Sequence, residues 1–166
     1  MRKIVRMRFK RSELLYDIAN VAFVEGDVMP ELMQHNKHLT QDITQKGNVD
    51  RVTRIMNVVV EECRMLLLPF TKTIIENDIK VDNVLNIKEE YEIDLSVPEN
   101  FPKGSVDYIA KLIHEFIVAR VLHDWFLITN IEKANTWGMR ATKYLDDIKN
   151  TANKRLTVLT RPLRPF

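Results

Sequence analysis

Between Ser105 and Ile128 the chain reads SVDYIAKLIHEFIVARVLHDWFLI, its longest near-continuous apolar stretch. Apolar residues at Ile109, Leu112, Ile113, Phe116, Ile117, Val121, Leu122 and Trp125 recur at helical spacing, a stripe wide enough to predict a helix buried in a core. Ser105 stands as an N-cap, and Asp107 and Lys111 lie four apart on the outer face. About 24 residues make a rod of roughly 36 Å, long enough to cross a small domain. Arg120, His123 and Asp124 interrupt it, which favours a core helix over a membrane span.

Three further helices follow from the same periodicity. Ser12 opens one with Leu14, Leu15, Ile18, Ala19, Val21 and Ala22 on its apolar face and Gly26 as its stop. Asn48 caps a second, carried by Val49, Val52, Met56, Val59, Val60, Cys63, Leu66 and Leu67 and followed by Pro69. Ile131 to about Arg155 forms a third, with Ala134, Trp137, Ala141, Tyr144, Leu145, Ile148 and Ala152 on one face. The polar stretch from Asp27 to Lys46 reads as a long connection with a short helix around Leu39 to Gln45. Two segments alternate with period two. Val5 to Phe9 switches between apolar and basic side chains, as a short strand or an extended arm would. Tyr91, Ile93, Leu95 and Val97 put one face of a strand against the helices. A lone strand is unstable, so its expected partner is Ile79 to Val84 or a segment of another chain.

At 166 residues the chain is long enough for one domain with a real core, and 45% apolar with 29% charged residues is ordinary for a globular chain. The predicted fold is mainly α: a bundle of about four helices over 12–155 with a small β element around 79–97, and extended basic ends at 1–11 and 156–166. Cys63, the lone cysteine, falls on the apolar stripe of its helix, so a buried structural thiol in a reducing compartment is expected. The basic start is followed by no apolar run of signal-peptide length, so a signal peptide is not expected.

The net charge of +2 hides a division. Met1 to Arg11 carries +6 and Lys149 to Phe166 carries +5, neither with an acid, while everything between sums to −9. Basic ends on an acidic body suit docking by apolar residues interleaved with arginine: Arg2, Arg6 and Arg8 at one end, Leu156, Val158, Leu159, Arg161, Leu163, Arg164 and Phe166 at the other. Pro162 and Pro165 keep the last segment from being helical throughout. The bland alternative is that both ends only solubilise. A third reading is phosphate contact, which makes the chain a DNA-binding module through its N-terminal arm.

Candidate chemistry thins out on inspection. His114-Glu115 and His123-Asp124 lie nine residues apart, about 2.5 helical turns, so the pairs point to opposite sides. Val118 occupies the position where zinc-protease or di-iron spacing would need histidine. Four scattered glycines build no phosphate loop, and of Ser12, Ser96 and Ser105 two read as caps. No enzyme activity, metal or cofactor is expected.

The second half, from YEIDLSVPENFP through LIHEFIVARVLHDWFLITNIEKANTWGMRATKYLDDIK, resembles small proteins of phages and prophages of gut Bacteroidetes. The shared features are a strand and proline leading into a helix that ends in Asp124-Trp125, then Thr129-Asn130 and a second helix bearing Trp137. The likeness covers roughly Tyr91 to Arg155 and points to the head–tail connector, or adaptor, proteins of tailed phages. It implies a helical subunit of the virion neck, made in the host cytoplasm, that forms a homo-oligomeric ring, commonly of twelve. It further implies a portal protein and other neck or tail proteins as partners, genomic DNA passing non-specifically through the channel, no membrane, and a C-terminal tail that pairs with the portal. A tail-completion or other neck protein fits the same features. The strand region between Lys80 and Val97 departs from the smallest connectors.

Overall fold

Apolar residues form a wide stripe along the Ser105 to Ile128 segment, broadest from Phe116 to Phe126, and the rest of the chain covers it while Asp107, Lys111 and Glu115 stay exposed. The computed structural model describes residues 2–30, 34–71 and 81–153. Among them the order is strand β1 (Arg2–Lys10), helix α1 (Arg11–Asp27), α2 (Gln34–Gln41) with a 3-10 turn at Asp42–Thr44, and α3 (Val49–Leu66). Then come a single turn α4 (Leu68–Thr71), strand β2 (Glu90–Pro98), α5 (Lys103–Thr129) and α6 (Ile131–Ala152). The fold is mainly helical with a small two-stranded antiparallel sheet. The four long helices are those the periodicity predicts, and among the described residues α2 and α4 raise the count to six.

Helix α5 buries eleven side chains, among them Ile109, Ile113, Phe116, Ile117, Leu122 and Phe126. Each large one removed from water contributes about 1.5–3 kcal/mol. Asn130 alone joins α5 to α6, and its side-chain oxygen accepts a hydrogen bond from the Lys133 amide, capping α6. The two helices fold back on each other so closely that a Cβ at Gly138 would meet the His123 ring at 2.9 Å. Helices α3, α1 and α2 cover other sides of α5.

Several boundaries differ from expectation for local reasons. Ser105 is no cap: α5 starts at Lys103, and the Pro102 carbonyl accepts from the Ser105 and Val106 amides. Gly26 is not a stop but lies inside α1, where the Gln41 side chain presses on it; a Cβ there would sit 2.7 Å from Gln41 Cγ. Asn48 stands at the N-cap position of α3 without a capping bond, because its amide donates to the Asp42 carbonyl at 2.8 Å.

The strand partner is also revised. β2 pairs with β1 over its whole length, from Arg2 opposite Pro98 to Lys10 opposite Glu90. Residues 81–84 run without regular structure, and 79–80 lie outside the described residues. The two alternations explain the pairing: Met7 and Phe9 on β1, with Tyr91, Ile93, Leu95 and Val97 on β2, turn one face into the core.

Truncating the core of α5 tests this arrangement. Phe126→Ala is expected to lower unfolding free energy by about 3–5 kcal/mol, whereas its exposed neighbour, as Leu127→Ala, shifts it by no more than about 0.5 kcal/mol. Urea denaturation of the two variants checks the difference.

Candidate partner interface

The predicted site residues at the N-terminal end belong to β1, because even-numbered positions of that strand face solvent. Arg2, Ile4, Arg6, Arg8 and Lys10 stand opposite Pro98, Ser96, Asp94, Glu92 and Glu90. Arg6 grips Asp94 with two bonds, Nε to Oδ1 at 2.8 Å and a terminal nitrogen to Oδ2 at 3.0 Å. Arg8 Nε lies 2.9 Å from Glu92 Oε1. Of the arginines expected to reach other molecules, two are thus held by carboxylates of their own chain, while Arg2 is exposed at the Pro98 end. Arg11 turns inward and donates to Thr53 Oγ1 at 2.8 Å, so it belongs to the body and not to an arm. Residues Leu156, Val158, Leu159, Arg161, Leu163, Arg164 and Phe166 lie outside the described residues.

Sequence reasoning overlooked Glu92 and Asp94. The signal was present: acids at 90, 92 and 94 match cations at 10, 8 and 6 in antiparallel register, alternate with alternate. The hydrogen bond from Arg6 holds the Asp94 carboxyl below the usual carboxylate range.

The last turn of α6 comes to the same end of the sheet as Arg2. Ala152 lines a small apolar pocket with Leu67, Phe70, Leu95, Val97 and Phe101, and Val97 pairs with Lys3. The start of the first basic stretch and the described start of the second therefore stand at the same end of the body. The last turn of α6 carries Lys149, a cation where the helix dipole favours one.

Elsewhere a groove of about 650 Å³ runs between α3, α5 and α6, lined by Glu62, Phe116, Arg120, His123, Asn135 and Met139. Arg120 Nε lies 3.8 Å from Glu62, and His123 Nδ1 donates to the Ala134 carbonyl at 2.8 Å. On the other side of α5, His114 Nε2 donates to Asp17 at 2.7 Å. Both histidines are thereby packing contacts between helices. Trp125 and Trp137 do the same work, donating from Nε1 to the Thr40 carbonyl and to Glu25 Oε1, each at 3.2 Å. Among the described residues no three His, Cys, Asp or Glu side chains gather closely enough to hold a metal ion. Nor is any helix among them long and apolar enough to cross a membrane.

Cys63 is fully buried on α3, and burial, with the Glu62 charge adding to it, pushes its thiol up to about 12. Compared with protein-family models, curated proteins and solved structures, the chain matches none.

Two outcomes follow from these charges. Because Asp94 titrates lower in the fold than unfolded, its pairing stabilises above the ordinary aspartate pKa, near about 4, and the contribution is lost as pH falls through the folded value. In unfolding midpoints measured from neutral to acid pH, wild type should therefore exceed Asp94→Asn at neutral pH, with the gap closing in acid; a constant gap contradicts the pairing. Cys63 should react with a thiol reagent at neutral pH only as fast as the protein opens, which labelling across a urea series measures; rapid labelling of folded protein contradicts its burial.

Proposed function

We propose that the chain is a structural subunit of a phage head–tail connector ring, docking on the portal and on neighbouring subunits through its basic ends. The observation that carries this reading is that Val97, which pairs with Lys3 beside Arg2, shares a pocket with Ala152, so the start of β1 and the last turn of α6 stand at one end of an acidic helical body. Cations gathered there are positioned to bind one acidic surface together, whereas scattered cations only solubilise. The resemblance over Tyr91 to Arg155 supplies the kind of assembly. A tail-completion or other neck protein shares the same docking logic.

In this reading assembly is the activity. The segment 156–166 brings apolar Leu156, Val158, Leu159, Leu163 and Phe166 together with Arg161 and Arg164, the composition of a strand that adds to a neighbour and orients by charge. Asp124, Trp125 and Trp137, which carry the resemblance, hold the subunit's own helices: Asp124 faces Arg51 at 3.4 Å, and the two indoles bridge to α2 and α1. The −9 of the central body suits a channel wall along which DNA slides by repulsion.

Electron microscopy of the purified chain at increasing concentration tests the proposal. Closed rings of one order are expected, and deleting 156–166 should abolish them while leaving the helical circular dichroism unchanged. Monomers that bind duplex DNA with a steep salt dependence, lost on charge reversal of Arg2, Arg6 and Arg8, would overturn it in favour of the DNA-binding reading.

A further inference from the structure

The two-stranded sheet has two outer edges, and among the described residues one is partly covered and the other is open. On β2 the Arg64 guanidinium donates to the Glu92 carbonyl, and α4 packs alongside. The Arg11 amide donates to the Glu89 carbonyl at 2.8 Å. That bond fixes the alternation: Lys3, Val5, Met7 and Phe9 turn their backbone groups toward β2, and Arg2, Ile4, Arg6, Arg8 and Lys10 turn theirs outward. Among the described residues no strand takes up those outward groups.

An edge of this kind is unusual in what it lacks. β1 runs nine residues in unbroken register, with no bulge and no proline to blunt it. Its one guard is charge, since five of its nine residues are Arg or Lys and none is acidic. That guard is selective. A second copy of β1 would set arginines beside arginines, and the basic segment 156–166 would do nearly the same. An acidic strand meets no such barrier, as β2 demonstrates from the other side with Glu90, Glu92 and Asp94.

We propose that the open edge of β1 is a docking site for an extended segment of a partner protein bearing Asp or Glu at alternate positions, which adds to the sheet as a third strand. Backbone groups of Ile4, Arg6 and Arg8 supply the ladder bonds, and Arg2 and Lys10 meet the incoming carboxylates on the solvent face, with Arg6 and Arg8, paired to Asp94 and Glu92, between them. Ile4, exposed at 74% on that face, offers the strand one apolar contact between the arginines. The inference stands apart from the ring proposal, because any acidic strand, viral or not, satisfies it.

The test is amide hydrogen exchange of the full chain, followed by NMR, with a synthetic nine-residue peptide alternating Glu and Val and a control peptide alternating Lys and Val. In the free protein, Val5, Met7 and Phe9 amides should be protected and those of Ile4, Arg6 and Arg8 should exchange freely. The acidic peptide should protect the second set and the basic peptide should not. Ile4→Pro removes an outward donor without touching the β1–β2 ladder and should weaken peptide binding about tenfold or more. Should that variant unfold, Arg2→Glu combined with Lys10→Glu keeps the Arg6–Asp94 and Arg8–Glu92 pairs and should weaken binding comparably. Edge amides already protected in the free chain would overturn the proposal, as would equal effects of the two peptides, no protection at millimolar acidic peptide, or a dimer abolished by Ile4→Pro.

Discussion

From Phe116 to Phe126 helix α5 is apolar around most of its circumference, and the need to cover that stretch organises this molecule. Phe116, Ile117, Val118 and Ala119 are four consecutive buried residues, pointing in four directions from the axis. No single neighbouring helix can cover all of them. The chain meets the demand by folding α6 back along α5 through one residue, laying α3, α1 and α2 on other sides, and leaving polar tips such as Arg120 and His114 to exit between them. Gly138 belongs to the same requirement, because the α5–α6 contact is too close for a side chain where the His123 ring sits.

The sheet is the second layer of that cover, and its position decides which charges are available. One face of β2 is used up in the core through Tyr91, Ile93, Leu95 and Val97. The other must therefore be polar, and the chain makes it a ladder of alternating arginine and carboxylate. Exposed ion pairs of this type add little stability each. What they provide is register: a slip of one residue would drive Met7 and Phe9 to the solvent side and set Arg6 toward the core. The pairing joins residue 2 to residue 98 and so fixes where the first basic stretch stands relative to the end of α6.

Much of this was legible in the order of residues. The four long helices follow from three- and four-residue spacing, and β2 from strict alternation. Strand pairing was not legible by the same rule, since alternation tells which face is buried and nothing about which segment lies alongside. Charge matching carries that information here, in the acids at 90, 92 and 94 facing the cations at 10, 8 and 6. Caps were misread where a side chain found a better partner, as Asn48 did with the Asp42 carbonyl, and where a glycine serves packing, as Gly26 does under Gln41. The basic ends looked alike by composition; only pairing shows that Arg6 and Arg8 are engaged within the chain, while Arg2 has no such partner among the described residues.

In the proposed ring, the apolar and basic segment 156–166 is buried on another molecule. Chains carrying a photo-crosslinker in place of Leu159, prepared with and without heavy isotopes and mixed, measure this directly by mass spectrometry. The account predicts crosslinks joining a light and a heavy chain; crosslinks confined to single chains, with the segment held in its own subunit's interior, would contradict it.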